Sequence, residues 1–186
     1  MKLRQSDELA AVLDACVLAP MPLCDTLLRC AETPPLFRVL WSSEILREVR
    51  RTLEKFGYSG AQADRRVLAM EEAFPEAKVR ISRRVLSAVP DLPDPRDQHV
   101  VAAAIAGHAR AIVTFNLRHF PHGVLKAQGL LALSPDEFLA GLFRRDRQRV
   151  VEVLDEQARA IGETKFAVLE RLRVSLPKFA SIAAEE

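Results

Sequence analysis

The stretch "DQHVVAAAIAGHARAIVTFN", residues 97–116, sets the fold class that this sequence predicts. Its first part, 97–109, is rich in alanine and other apolar residues and is predicted to form a helix. Its second part, "RAIVTF" (110–115), is apolar and β-branched, which is typical of a central strand. A helix that leads directly into a buried strand is half of a β-α-β unit, so the stretch predicts a parallel α/β sheet.

The preceding sequence continues this alternation of strands and helices. The run "AAVLDACVLA" (10–19) contains a single acid and predicts a buried parallel strand that ends at Asp14. Two further short runs, 36–41 and 77–81, are strand candidates. The helices predicted between them lie at 20–32, 42–57 and about 60–74, the second with Ser43 as a candidate cap. The pattern up to about residue 133 predicts a three-layer α/β/α sandwich with a central parallel sheet.

The last part of the chain has a different pattern. From "SPDEFLAGLF" (134–143) onward the apolar spacing is helical only. We therefore expect an α/β domain over residues 1–140 and an all-helical C-terminal extension over residues 141–186, packed on the core of that domain.

Composition and charge restrict the class of partner. The 186 residues are 49% hydrophobic and 28% charged, as expected of a globular protein, and the net charge is only +2. Two local basic runs, "KVRISRR" (78–84) and "RRDRQR" (144–149), can nevertheless meet phosphates. For either run alone, a solvated helix face is the more common explanation.

The cysteines and the hydropathy predict a cytoplasmic protein. Cys16, Cys24 and Cys30 are odd in number, and their spacing is not that of a zinc site. They are best explained as small buried thiols in a reducing compartment. No apolar run reaches the length of a membrane span, and the first residues lack the apolar region of a secretory signal.

Four oxygen-bearing side chains are predicted to meet at one edge of the sheet. Asp14 and Asn116 follow strands, Asp97 begins a helix, and Glu48 lies off the apolar stripe of its helix. Ligands of open parallel sheets bind at the carboxyl ends of the strands. Oxygen ligands of this kind suit Mg²⁺ or Mn²⁺, and such an ion can activate water for phosphodiester hydrolysis.

Each of these residues also has a purely structural explanation. Asp97 can stabilise the start of the helix through its charge, which interacts favourably with the helix dipole. Asp94 is better suited to this structural role, because a proline follows it. Glu48 can pair with neighbouring arginines, and Asn116 can be a turn residue. Asp14 is different, because a lone acid inside an apolar strand is unusual unless it has a function.

Three motifs in this order resemble the PIN-domain ribonucleases of the VapC type, which are toxins of type II toxin–antitoxin systems. They are "VLDACVL" (12–18), "WSSEILREVRRTL" (41–53) and "LPDPRDQHVVAAAIAGHARAIVTFNLRHFP" (92–121). The resemblance covers roughly residues 10–140, and the helical tail is similar to the extension of one subgroup. It implies an α/β/α sandwich and a Mg²⁺- or Mn²⁺-dependent endoribonuclease.

The resemblance also assigns the site residue by residue. The first-strand aspartate of the family corresponds to Asp14, the helix glutamate to Glu48 (or to Glu44, one turn earlier), and the third acid to Asp97. These three are the implied metal ligands. The position after the last of these strands, an Asp in many members and an Asn in others, is Asn116, which completes the catalytic set.

One position departs from the family pattern. Many relatives have an acid three residues after Asn116, where this sequence has His119. Three carboxylates suffice for one metal ion, but we expect weaker metal binding than with four. His119 is most simply explained as a solvent-facing loop histidine that can also contact a phosphate. Asp94, Glu44 and His119 are candidates for the layer of groups around the metal ligands.

The leading hypothesis is a toxin that cuts a structured RNA, such as a tRNA or an exposed ribosomal RNA loop. A metal-activated water would attack phosphorus in line and leave a 5′-phosphate and a 3′-hydroxyl. The resemblance further implies a separately encoded antitoxin and a homodimer. The arginines expected to hold the RNA backbone are Arg144, Arg145, Arg147 and Arg149.

Three alternatives remain open at this point. A metal-free route would use acid–base catalysis by two of the histidines, which are His99, His108, His119 and His122. The chain can also be an RNA- or protein-binding module whose site has lost an acid. A DNA-directed nuclease of the same fold is the third alternative.

Overall fold

The computed structural model describes residues 9–185, which contain a five-stranded sheet in the order β3-β2-β1-β4-β5. The strands β1 to β5 are Ala10–Leu13, Arg38–Ser42, Lys78–Val79, Ala111–Val113 and Leu131–Leu133. The pairs β1–β2, β1–β4 and β2–β3 are parallel. Together with the helices between the strands, this sheet confirms the predicted α/β/α sandwich.

The helices connect successive strands and then continue to the end of the described chain. The helices α1 to α11 are Ala15–Leu18, Leu23–Ala31, Ser43–Lys55, Gly60–Ala73, Arg83–Ser87, Gln98–Ala106, His122–Lys126, Pro135–Arg145, Arg147–Ala160, Lys165–Arg173 and Pro177–Ala183. Two short 3-10 turns, Pro95–Asp97 and Leu117–His119, flank the α6–β4 unit. Within residues 9–185, no helix is both long and apolar enough to cross a membrane.

The helix α6 packs on the sheet through a face of small side chains. Its residues from Val100 to Ala104 are buried, and it contacts β1, β2 and β4. Where α6 ends, a Cβ on Gly107 would come within 2.6 Å of the Leu40 side chain, so the close approach to β2 requires glycine. This contact holds α6 against β2, and Asp97 directly precedes the first residue of α6.

The transition from β2 to α3 places the first turn of α3 at the carboxyl edge of the sheet. Ser42 ends β2, and its Oγ accepts a hydrogen bond of 3.2 Å from the backbone N–H of Ile45. The cap is therefore Ser42, and the expected cap at Ser43 is wrong. The extended backbone of the last strand residue already has the conformation that a cap requires.

The described chain divides into two compact units. The first contains residues 9–19 and 37–132, and the second contains residues 20–36 and 133–185. In the second unit α2 packs on α9, and the buried Thr26 hydroxyl donates a hydrogen bond of 2.8 Å to Gln157. Gln157 in turn donates to the carbonyl of Pro22. The domain limits expected from the sequence, 1–140 and 141–186, stay a prediction.

Candidate active site

The carboxylate of Asp14 is fixed at the carboxyl end of the central strand. Its Oδ1 accepts from the backbone N–H of Ala15 at 2.7 Å, and its Oδ2 accepts from the Thr114 hydroxyl at 2.7 Å. The thiol of Cys16 also donates to Oδ2, at 3.2 Å. Asp14 is only 5% exposed, so these donors compensate the loss of hydration that a buried charge suffers.

Thr114 connects the ends of two neighbouring strands. It directly follows β4, is fully buried, and donates to Asp14 from 100 residues further along the chain. Its hydroxyl oxygen also accepts from the backbone N–H of Asn116 at 3.0 Å. Thr114 therefore holds the Asn116 loop close to Asp14. Sequence reasoning did not single out Thr114, although a polar residue at the end of an apolar strand was a usable signal.

Asp97 directly precedes α6, and its pKa responds to the charge of Asp14. Burial raises the pKa of Asp97, and the negative charges of Asp14 and Asp94 raise it further, while a hydrogen bond with His119 acts in the opposite direction. The influence of the Asp14 charge on the pKa of Asp97 agrees with the predicted proximity of the two carboxylates, and the shared site stays a prediction.

The side chain of His119 is bound rather than solvent-facing. Its Nδ1 lies 2.7 Å from Oδ2 of Asp97, and Nε of Arg118 donates to its Nε2 at 3.3 Å. Because Nε2 accepts, the hydrogen-bond geometry assigns the ring proton to Nδ1, which then donates to Asp97. The expectation of a solvent-facing loop histidine is wrong, because the 3-10 turn that follows Asn116 directs the ring toward Asp97.

Asp94 shapes the turn that leads to Asp97. Its Oδ1 accepts from the backbone N–H of Arg96 at 3.0 Å, and both of its oxygens accept from the Arg96 guanidinium. These bonds lower the pKa of Asp94 to about 2. Asp94, Asp97 and His119 each offer one ligand atom within 4.8 Å of the others. Asp94 therefore combines the structural role expected of it with a position beside the acids.

Glu48 reaches the same turn through His99. Oε2 of Glu48 lies 3.4 Å from Nε2 of His99, and Nδ1 of His99 lies 2.7 Å from the carbonyl oxygen of Arg96. Burial by itself lowers the pKa of His99, but the nearby Glu48 carboxylate outweighs this effect and the pKa is raised. The 3.4 Å contact is too poorly directed to count as a hydrogen bond, and it is an ion pair only in the protonated form of the ring.

The two glutamates considered for the site have different neighbours. Glu44 forms an ion pair with Arg47 on the same helix, whereas Glu48 contacts His99 beside the Asp94–Asp97 turn. This difference favours Glu48 over Glu44 as the glutamate of the site, and the assignment stays a prediction.

The predicted metal ligands are carboxylates, which a hard divalent cation prefers. Within residues 9–185, however, the group whose ligand atoms all lie within 4.8 Å of one another is Asp94, Asp97 and His119, without Asp14 or Glu48. Asp14, Glu48 and Asp97 come from three separate elements at the carboxyl edge of the sheet, and a cation there would relieve the repulsion between Asp14 and Asp97. Carboxylates suit Mg²⁺ and Mn²⁺, and the His119 imidazole acts on this set through its hydrogen bond to Asp97.

The C-terminal arginines differ in their surroundings. Arg144, Arg145 and Arg147 are exposed, and the Arg147 guanidinium lies 5.6 Å from the centre of the Phe143 ring. The side chain of Arg149 is only 11% exposed and contacts Glu156 at 3.0 Å. Arg149 would have to give up this partner to bind a phosphate, and the exposed members of the group are Arg144, Arg145 and Arg147.

Comparison with known proteins gives two findings. Residues 10–118 match a family model described as PIN domain. A protein of Mycobacterium tuberculosis (strain ATCC 25618 / H37Rv), named "Putative ribonuclease VapC50", is 35% identical over 91 residues, which are 47% of this chain and 54% of that protein. The chain thus spans about half the length of this curated relative. No solved structure matches the chain. The matched span contains the three motifs quoted from the sequence up to Arg118, and it confirms the resemblance drawn from them.

Proposed function

Because this chain belongs to the PIN-domain family, we propose that it is a Mg²⁺- or Mn²⁺-dependent endoribonuclease and the toxin of a toxin–antitoxin pair. Its substrate is a structured RNA, in which it hydrolyses a phosphodiester bond. The proposed catalytic residues are Asp14, Glu48, Asp97 and Asn116, the first three as metal ligands. The name of the curated relative, which contains both "ribonuclease" and "VapC", supports RNA as substrate and the toxin role.

One observation carries the proposal: the loop that follows β4 contacts both acids, because the Thr114 hydroxyl donates to Asp14 at 2.7 Å and Nδ1 of His119 lies 2.7 Å from Oδ2 of Asp97. These contacts hold two acids from separate segments at either end of one short loop, and burial and the Asp14 charge both raise the pKa of Asp97. A bound divalent cation would supply the offsetting charge, activate a water molecule for attack on phosphorus and stabilise the leaving oxygen.

The protein residues have distinct tasks in this scheme. Asp14 accepts hydrogen bonds from Ala15, Cys16 and Thr114, so its carboxylate is already oriented before a ligand binds. His119 orients Asp97 by donating to one of its oxygens. Asn116 is held near Asp14 through its backbone N–H, which donates to the Thr114 hydroxyl, and its side chain is the proposed neutral member of the catalytic set. Such preorganisation reduces the reorganisation needed when substrate binds.

The partners follow from the family and stay proposals. We expect a cognate antitoxin that blocks the acids, a homodimer, and action in the cytoplasm on a tRNA or ribosomal RNA. The exposed Arg144, Arg145 and Arg147, with Arg149, would hold the RNA backbone. Neutralising these four arginines should weaken RNA binding and flatten its salt dependence, and an unchanged salt slope would contradict their role.

A weakened RNA- or protein-binding module is the second candidate, because His119 occupies one oxygen of Asp97. If the imidazole keeps that oxygen from the metal, the site binds RNA without cutting it. A DNA-directed nuclease would have the same acids, and only substrate comparison separates it from a ribonuclease.

The test is cleavage of total bacterial RNA by the purified protein free of antitoxin. Wild type and Asp97→Asn are compared in Mn²⁺, in Mg²⁺ and in excess chelator, with single-stranded and duplex DNA as parallel substrates, and the ends of the products are mapped. Discrete RNA cuts with 5′-phosphate ends, lost in chelator and in the variant, are the expected result.

The other outcomes have separate meanings. Cuts that persist in chelator and leave cyclic phosphates would replace the metal route with histidine acid–base catalysis. Cleavage of DNA in preference to RNA would mean that the protein is a DNA-directed nuclease. RNA that is bound but stays intact in both metals would favour the binding module.

A further inference from the structure

An open pocket of about 660 Å³ lies at the carboxyl ends of β2 and β3. Residues that directly follow these two parallel strands line it: Ser43 follows β2, and Arg80 follows β3. The register pairs Ser42 with Val79, so the strands end side by side. The pocket therefore opens on the same edge of the sheet as Asp14, which follows the neighbouring strand β1.

The charged side chains that line the pocket are mainly basic. Arg47, Lys78 and Arg80 contribute cations, and Glu44 is the acid among the lining residues. Lys78 pairs with Glu71 at 2.6 Å and Arg47 pairs with Glu44. Within residues 9–185, Arg80 makes no hydrogen bond or ion pair. An exposed guanidinium without a carboxylate partner is available to an anionic ligand.

The pocket and the acids share a wall. His99 lines the pocket, and its ring lies 3.4 Å from Glu48 and 2.7 Å from the carbonyl oxygen of Arg96. One side chain therefore separates the pocket from a proposed metal ligand. Neighbouring strands lie about 4.8 Å apart, so a ligand in the pocket, beyond β2, is within a few strand spacings of Asp14 at the end of β1.

The chemistry of the pocket fits a nucleic-acid strand. Its cations match phosphate groups, and the apolar Ile81 and Leu86 in its lining offer a surface against which a ribose or base can pack. Its volume exceeds that of a single phosphate and is within the range of pockets that hold small organic ligands.

We propose that this pocket binds a backbone phosphate, with its ribose, of the RNA strand beside the bond that is cut. This inference rests on the proposed function and adds to it a named binding site. The RNA would cross the carboxyl edge of the sheet, with one phosphate held by Lys78 and Arg80 and the scissile phosphate at the acids. An acidic peptide segment is the competing occupant, and the test below distinguishes it.

The test measures binding of a short, fluorescein-labelled single-stranded RNA in chelator, so that cleavage does not interfere. The double variant Lys78→Gln/Arg80→Gln is compared with wild type over a range of salt concentrations. We expect a loss of affinity on the order of tenfold at about 0.15 M salt. The slope of log affinity against log salt should fall by about 0.7, since the two cations hold one phosphate and each single-stranded phosphate contact contributes about 0.7.

A matched control removes the same charge from the same unit. Arg51 and Lys55 are exposed on the last turns of α3, whereas the first turn of that helix borders the pocket. The control variant Arg51→Gln/Lys55→Gln should keep its RNA affinity within about twofold, apart from a small long-range effect of net charge. All four replaced side chains are on the surface, so both variants should keep the melting temperature of the wild type.

A second measurement identifies the phosphate. Single methylphosphonate linkages are moved along the RNA, which removes one backbone charge at a time. One position should weaken binding by wild type but have no effect on the Lys78→Gln/Arg80→Gln variant. Such loss of additivity shows that the pocket cations and that phosphate interact directly.

The results separate this proposal from the proposed function. Cleavage and binding that are unchanged in the pocket variant would overturn the pocket and leave the nuclease intact. Binding that depends on the pocket without any cleavage would overturn the nuclease and keep the pocket. RNA binding absent from wild type, or competed away only by acidic peptides, would overturn the pocket as an RNA site.

Discussion

The Nδ1 atom of His119 lies 2.7 Å from Oδ2 of Asp97, although 22 residues separate the two in the chain. The family resemblance predicts an acid at this position, and it is occupied here by a group that donates a hydrogen bond to Asp97 instead of adding a negative charge. We expect the affinity of the proposed metal site and the stability of the acid cluster to depend on this pair.

His119→Asp should tighten Mn²⁺ and Mg²⁺ binding, because it adds a carboxylate and frees the Asp97 oxygen that the imidazole occupies. The gain should be similar for both ions, since the imidazole of His119 donates to Asp97 and is not among the proposed metal ligands. Isothermal titration calorimetry with each metal checks this. His122→Asp, an exposed position three residues further, is the control for the added charge. Equal affinities in wild type and His119→Asp would contradict a place for residue 119 beside the metal.

Asp97→Asn should abolish cleavage and yet stabilise the metal-free protein. Burial and the neighbouring acids raise the pKa of Asp97, so its ionised form destabilises the folded state at neutral pH, and the neutral amide removes that effect. We expect the melting temperature in chelator to rise by an amount on the order of a few degrees. Added Mn²⁺ should make the melting temperature of wild type the higher of the two, because the ion stabilises wild type by binding to it.

The pH dependence of this difference follows from the sign of the shift. A carboxyl group with a raised pKa in the folded state takes up its proton there first as the pH falls, which relieves the destabilisation. The advantage of Asp97→Asn should therefore be full at neutral pH and vanish as the pH falls toward about 4, the ordinary pKa of aspartate. Thermal melts of both proteins across this range check the prediction, and a difference that grows on acidification would refute it.

Thr114→Val should impair both stability and activity. It keeps the shape of the side chain but removes the hydroxyl that donates to Asp14 at 2.7 Å, and it leaves the Asn116 N–H without its acceptor. Loss of hydrogen bonds to a buried carboxylate costs about 1–3 kcal/mol of unfolding free energy. Chemical denaturation measures this cost, and metal titration should show weaker Mn²⁺ binding.

Thr114→Ser is the matched variant for this test. It retains the hydroxyl and loses only a methyl group, so most of the metal affinity and cleavage should return. A serine variant as inactive as the valine variant would mean that Thr114 acts through packing and not through its hydrogen bonds.

The thiols of Cys16 and Cys30 should resist alkylation in the native protein. Burial raises the pKa of each to about 12, and the nearby Asp14 charge adds to the effect at Cys16. Only the thiolate is reactive, so at about pH 8 on the order of one thiol in ten thousand is ionised. Mass spectrometry after iodoacetamide treatment should find both unmodified until guanidinium unfolds the protein. Rapid native labelling of either would show that its surroundings open readily.

The sequence by itself determined the alternation of strands and helices and the positions of the acids along them. Asp14 is recognisable because an acid interrupts an apolar strand, and Asp97 because a proline-containing turn precedes an alanine-rich helix. These signals are local, since a side-chain period and a helix start each depend on a few neighbouring residues. β5, at Leu131–Leu133, was not predicted, because three partly exposed residues are too short a run to show a period.

Only the tertiary structure decided which of these residues meet. The Thr114–Asp14, His119–Asp97 and His99–Glu48 pairs join segments that are 100, 22 and 51 residues apart. The grouping of residues 20–36 with the C-terminal helices has the same origin, in the contact between Thr26 and Gln157 across 131 residues. Such contacts depend on the order of strands in the sheet and on the packing of helices, which no local pattern encodes. The physical reason is that a side chain gains a distant partner only after the backbone has closed the loop between them.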